Sequence, residues 1–280
     1  MLGKIFRKLV KTLKTLGVNE GSLMLRQSTL PYLVGAGILL VSIYLFMMFL
    51  NPQNLGLLLN GIAVAAAAAT VYAGITVIRQ QKKIFGVSMR APWFFISLGF
   101  FFWFAGEVCW FIEPKPCHIR PISLADLMWV IGYVCVLYGF GSGLRPLTRL
   151  ARVLGGFKAS ITCAAPLLLA SLLLSLMAPC LQRIFLEKGS LAALVDFIYV
   201  FLDIAVFTVA MEGAVFLGWR SRAKGLIIMS AGLIMLAISD IPYSLVGGYW
   251  PGNPLDLLYA LSYMVIATGV YEYSRQPVVI

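Results

Sequence analysis

AGEVCWFIEPKPCHIRPISLADLMWVIGYVCVLYGF, residues 105–140, and ISDIPYSLVGGYWPGNPLDLLYALSYMVIATGVYE, residues 238–272, are two versions of one pattern. Each closes an apolar run, passes through a loop punctuated by proline or glycine, and opens a second apolar run. Glu107 aligns with Asp240 and Trp110 with Tyr243; past the loop, Asp126, Trp129 and Tyr133 align with Asp256, Tyr259 and Tyr263. The second part reads Asp-Leu-x-aromatic-x-apolar-small-Tyr in both copies, which marks an internal repeat.

Working outward, apolar runs recur at 30–50, 55–78, 92–112, 123–143, 159–178, 191–218, 225–245 and 254–274. Each is long enough to cross a bilayer as a helix, for which about 20 apolar residues suffice. The fold class expected is therefore all-α integral membrane, with eight transmembrane helices arranged as two tandem four-helix repeats, residues 30–145 and 146–280, behind a segment 1–29. An even number of crossings per half gives both halves the same orientation, so the repeats are parallel rather than inverted. A glycine pattern, Gly141-x-Gly143, is expected to end the fourth helix.

Composition excludes a water-soluble domain. Of 280 residues, 61% are apolar and 12% charged, with a mean hydropathy of +0.92, against about 25% charged in an average soluble protein. The net charge of +11 does not point to nucleic acid, because the basic residues fall in short runs between apolar segments. Segment 1–29 places Leu2, Ile5, Phe6, Leu9, Leu13 and Leu16 at helical spacing, with Lys4, Lys8, Lys11 and Lys14 interleaved. It reads as a basic amphipathic helix on an anionic lipid surface, and it lacks the continuous apolar core of a cleavable signal. With the N-terminus inside, the inner side of the membrane holds 18 Lys and Arg and the outer loops hold Lys115, Arg120, Arg183 and Lys188. Both termini are thus expected on the cytoplasmic side of the cell membrane. Of five cysteines, Cys117 and Cys180 fall in outer loops where a disulfide between them is conceivable, while Cys135 and Cys163 lie in apolar runs.

Among 11 acidic residues, seven fall inside the predicted helices away from the C-terminal tail: Glu107, Asp126, Asp196, Asp203, Glu212, Asp240 and Asp256. Acids at membrane depth need partners, water or protons. Two explanations stay open for Asp126 and Asp256. Ser123-x-x-Asp126 and Asn253-Pro254-x-Asp256 are helix-start signatures, so capping competes with a ligand role. Glu107 and Asp240 sit near helix C-termini, where the macrodipole disfavours an anion, and capping does not account for them. Asp196, Tyr199 and Asp203 share one face of their helix, with Asn60 at a comparable place in the second run. Glu212 lies toward Arg220 and Arg222 and reads as their surface partner. An aromatic residue follows five of these acids, Glu107, Asp126, Asp196, Asp240 and Asp256, by three positions: Trp110, Trp129, Tyr199, Tyr243 and Tyr259. Carboxylates interleaved with ring faces suit a small cation or an organic amine, although such rings also form interfacial belts. The expected site is an outward-facing acidic and aromatic cavity of Glu107, Asp126, Trp129, Tyr133, Asp196, Tyr199, Asp203, Asp240, Tyr243, Asp256, Tyr259 and Tyr263. Clustered acids repel one another's charge, so the site would respond to external pH.

The single histidine, His118, excludes a tri-histidine zinc centre. No phosphate-binding glycine loop, GxSxG or HExxH is present, so neither a metal nor a cofactor is expected, and enzymatic activity is disfavoured.

The runs GEVCWFIEP (106–114) and PISLADLMWVIGY (121–133), with their echoes SDIPYSL (239–245) and GNPLDLLYALSY (252–263), resemble the multi-helix membrane input module at the N-terminus of some bacterial diguanylate cyclases and sensor kinases. The resemblance implies a sensory, ligand-binding membrane role carried by Glu107, Asp126, Trp129 and Tyr133, with Asp240, Asp256 and Tyr263 as their repeat partners. Such modules carry an output domain; only a few residues follow the last apolar run here, so signalling is expected to pass through a cytoplasmic partner. Parallel repeats and the deep acid Asp203 equally fit a secondary transporter for a cation or amine. A lipid-modifying enzyme using the carboxylates is the third reading.

Overall fold

A computed structural model describes residues 29–50, 52–80, 83–84, 87–88, 90–112, 123–153, 190–218, 224–246 and 253–275. These comprise helices α1 (Leu30–Leu50), α2 (Pro52–Gln80), α3 (Arg90–Ile112), α4 (Leu124–Val153), α5 (Ser190–Gly218), α6 (Lys224–Val246) and α7 (Pro254–Arg275). A two-residue antiparallel ladder, β1 (Lys83–Ile84) with β2 (Val87–Ser88), turns the chain between α2 and α3. All seven helices are long and apolar enough to cross a membrane. Helices are what such sequences must form there, because lipid offers no partner to an unpaired backbone group. The fifth of the eight apolar runs, 159–178, residues 1–28 of the N-terminal segment and the cysteines Cys117, Cys163 and Cys180 lie outside the described residues.

Six of the described helices close a ring. In order around it, α2 packs on α3, α3 on α4, α4 on α5, α5 on α6, α6 on α7, and α7 back on α2. Helix α1 stands outside, where Leu40 and Tyr44 meet Leu55 and Leu59 of α2 and Ala260 of α7. Glu272 of α7 holds the start of α1 by accepting the Thr29 backbone N–H at 2.6 Å and the Thr29 hydroxyl, so an acid caps donors that helix geometry leaves open. The ring interior is packed with aromatic and aliphatic side chains, Trp93, Phe100, Trp103, Tyr133, Met229 and Tyr263 among them.

Two helix pairs within the ring make matching contacts. In α3 and α4, a Cβ on Gly99 would stand 2.6 Å from Val136 and 2.7 Å from the Gly132 carbonyl, and one on Gly139 would stand 2.8 Å from the Pro92 carbonyl. In α6 and α7, a Cβ on Gly232 would stand 2.7 Å from Ile266 and 3.0 Å from the Ser262 carbonyl, and one on Gly269 would stand 2.8 Å from the Gly225 carbonyl. The spacing that carries Glu107 onto Asp240 also carries Gly99 onto Gly232. The spacing that carries Tyr133 onto Tyr263 carries Gly139 onto Gly269. Absent side chains let the backbones touch, which replaces the hydrophobic drive that helices lose in lipid. A third correspondence adds the preceding helices: Gly74 of α2 faces Ser97 of α3, and Gly213 of α5 faces Ser230 of α6.

One sequence expectation is corrected. Helix α4 does not stop at Gly141-x-Gly143 but runs on to Val153. Glycine in a helix costs only about 1 kcal/mol, and nothing lies within 4 Å of a Cβ on Gly141, so no packing forces a break.

Candidate functional site

The side chains that reach into the ring form polar clusters at α3, α4, α5, α6 and α7, joined to one another through contacts between aromatic rings. Its first centre is Glu107, buried on α3. Three donors converge on one oxygen, Oε1: the Trp129 indole N–H of α4 at 3.0 Å, and the Tyr259 and Tyr263 hydroxyls of α7 at 2.8 and 3.1 Å. Three donors on a single carboxyl oxygen fill its acceptor capacity. Gly106 makes room for this, since a Cβ there would stand 2.6 Å from the Trp129 indole.

The second centre has the opposite stoichiometry. The Tyr133 hydroxyl of α4 lies against two carboxyl groups, Asp203 Oδ1 of α5 and, at 2.9 Å, Asp240 Oδ2 of α6. Asp203 is wholly buried, and its other oxygen, Oδ2, has no hydrogen-bond partner among the described residues. Asp240 is only half-buried. Among the described residues, every hydrogen bond to Glu107, Asp203 and Asp240 comes from a tyrosine or a tryptophan rather than from lysine or arginine.

The two centres are cross-wired. Tyr133 of α4 serves the acid of α6, and Tyr263 of α7 serves the acid of α3. In the alignment Tyr133 answers to Tyr263 and Asp240 to Glu107, so each tyrosine reaches the acid of the other pair. Residue i touching j′ while j touches i′ is how two like units meet across a two-fold axis. Trp103 sits between the tyrosines, its ring 5.0 Å from that of Tyr133 and 6.4 Å from that of Tyr263, and donates its N–H to the Trp129 carbonyl at 3.2 Å.

Asp126 and Asp256 resolve differently from the interior acids. Asp126 Oδ2 accepts the Ser123 N–H at 2.7 Å and hydroxyl at 2.6 Å, while the Asp126 N–H donates to Ser123 Oγ at 3.2 Å. This is a reciprocal capping arrangement. Its remaining oxygen accepts the Tyr199 hydroxyl at 2.9 Å, so Asp126 caps α4 and ties it to α5. At the start of α7, Asn253 Oδ1 accepts the Leu255 N–H at 3.0 Å, and Asp256 is buried one turn further in.

Of the residues expected at the site, Glu107, Asp126, Trp129, Tyr133, Tyr199, Asp203, Asp240, Tyr259 and Tyr263 belong to this network. Asp196 is half-buried near the start of α5; the side chain of Tyr243 lies outside the described residues. Trp110 packs on Trp129 with ring centroids 6.0 Å apart. The group of residues that sequence reasoning missed is the frame: Trp103 and the glycines Gly99, Gly106, Gly132, Gly232 and Gly269. A signal existed in the glycine spacing shared by the two pairs. Among the described residues no cluster of three metal-ligating side chains occurs.

Comparison of the chain with protein-family models, curated proteins and solved structures finds no match.

Proposed function

We propose that this chain is an eight-span protein of the cytoplasmic membrane, with both termini inside and two parallel four-span repeats, that receives a small cation, amine or proton at a site toward its outer side and passes the signal to a cytoplasmic partner. The repeat reading is supported by the shared glycine register of α3–α4 and α6–α7 and by the reciprocal tyrosine–acid contacts. The inside termini are supported by the split of basic residues between loops. Segment 1–29 in this reading rests on anionic lipid.

The observation that carries the receptor reading is the second centre, where two interior carboxyl groups share one hydroxyl and a buried oxygen of Asp203 is left without a donor. Positive charge, whether a proton or a cation, is what such a place lacks. A thermal-shift screen of alkali cations and alkylamines across pH, on the purified protein in lipid nanodiscs, tests it. Stabilisation by pH change or by one of these ions, lost in Asp240→Asn, is expected. A profile unmoved by any of them, and unchanged in the Glu107→Gln/Asp240→Asn double variant, would leave the acids with a purely architectural role.

A transporter reading is favoured by one observation, the position of Asp203 midway along α5, where a translocated ion would pass. Cation or amine uptake into proteoliposomes that is abolished by Asp203→Asn would replace the receptor reading with this one.

A further inference from the structure

The hydrogens around Tyr133 do not add up if both neighbouring acids are ionised. A phenol carries one hydrogen and can donate it fully to one acceptor. Yet the Tyr133 oxygen lies at hydrogen-bond distance from two carboxyl oxygens, Asp203 Oδ1 and Asp240 Oδ2. With two carboxylates, one of these contacts would press lone pair against lone pair. A second hydrogen removes the conflict, and it belongs on a carboxyl group, because the contact must run from a donor to the phenol oxygen.

Asp203 is the acid that holds it. Its Oδ2 is buried without a partner, which is severe for an anionic oxygen and mild for the carbonyl oxygen of a neutral acid. Placing the hydrogen on Oδ1 orders the whole chain: the Asp203 carboxyl O–H donates to Tyr133, and Tyr133 donates to an ionised Asp240. We propose that Asp203 and Asp240 hold one exchangeable proton between them, relayed through the Tyr133 hydroxyl, and that this proton is the site's ligand. This deepens the receptor reading and rests on it, committing the site to a proton in place of a metal ion or amine.

Transfer along the chain conserves every hydrogen. The Asp203 proton passes to the Tyr133 oxygen as the Tyr133 hydrogen passes to Asp240 Oδ2, and Tyr133 is a neutral phenol before and after. Asp240 is half-buried and Asp203 is enclosed, so exchange with water enters at Asp240 and the stored proton sits at Asp203. The groups facing the relay are known from each neighbouring helix: Glu107 on α3, Asp126 on α4, Tyr199 on α5, and Tyr259 and Tyr263 on α7. Glu107 is held by its own three donors, and Asp126 by Ser123 and Tyr199. Neither is a hydrogen-bond partner of Tyr133 in this network, which leaves Asp203 and Asp240 as the pair that exchanges through it.

The test is pH-jump infrared difference spectroscopy on the full-length protein in nanodiscs, reading the C=O stretch of a protonated carboxyl group. Raising the pH is expected to remove one such band. The band should be absent in Asp203→Asn, and it should shift in frequency in Tyr133→Phe, where the relay loses its bridge but the acids stay. Tyr133→Phe also serves if Asp203→Asn fails to fold. A titrating band that persists unshifted in both variants overturns the proposal, as does the absence of any titrating band in the wild type. The outcome separates the two readings. If no band titrates but sodium, potassium or an alkylamine stabilises the wild type and not Asp240→Asn, the proton assignment falls and the receptor reading stands; if neither protons nor these ions act, both fall.

Discussion

Glu107 and Asp240 occupy matching places in the two halves of the ring and live in opposite circumstances. Around Glu107 there are three donors for one oxygen; around Asp240 there is one hydroxyl for two acids. The difference traces to a few positions. Trp129 brings an indole N–H to Glu107, and Tyr259, which answers to Trp129 in the other half, turns its hydroxyl to Glu107 as well. Asp203 adds an acid beside Asp240, while the register of Gly74 with Gly213 puts Val64 opposite Asp203 in the first half. The two matching helix pairs thus hold one centre with three donors on one oxygen and one with a single hydroxyl between two acids.

The comparison can be broken most severely at the satisfied centre. Glu107→Ala strands three buried donors and is expected to cost at least about 3 kcal/mol of stability, read as loss of folded protein in a denaturant titration in mild detergent. A loss no larger than that of Asp240→Ala would erase the contrast. Val64→Asp, which gives the first half the acid that only the second half has, should cost about 2.5 kcal/mol, the scale for an added carboxyl deep in a membrane helix, because Tyr263 is already committed to Glu107. Tyr133→Phe should cost about 1.5 kcal/mol while changing the pH dependence of melting more than its midpoint at any one pH. Trp129→Phe removes one donor of three and sharpens the comparison at the low end, with an expected loss of about 1 kcal/mol and an unchanged pH dependence.

Hydropathy alone places seven of the described helices, because a run of some 20 apolar residues in a polar-poor chain has few other outcomes. The acids that converge were legible for the same reason: carboxyl groups at membrane depth are costly, and Glu107, Asp203 and Asp240 had no local cap to explain them. What spacing could not reveal was stoichiometry. Whether a carboxyl group meets one donor or three depends on which rotamer of Tyr259 or Trp129 fits the ring, and that is settled by neighbours far apart in sequence. For Asp126 the local signature did decide half the matter, since Ser123 caps as its spacing implies; its tie to Tyr199 crosses from α4 to α5 and left no mark in either segment. Glycine is a stop signal only where nothing else holds the helix, and α4, anchored along α3, continues past Gly143 to Val153.

The touching backbones of α3 with α4, and of α6 with α7, have a mechanical corollary. Surfaces in such close register cannot slide without first lifting apart, so each pair behaves as a stiff lever. Between the two pairs run the hydrogen bonds of Tyr133 with Asp240 and of Tyr263 with Glu107, which tie one lever to the other.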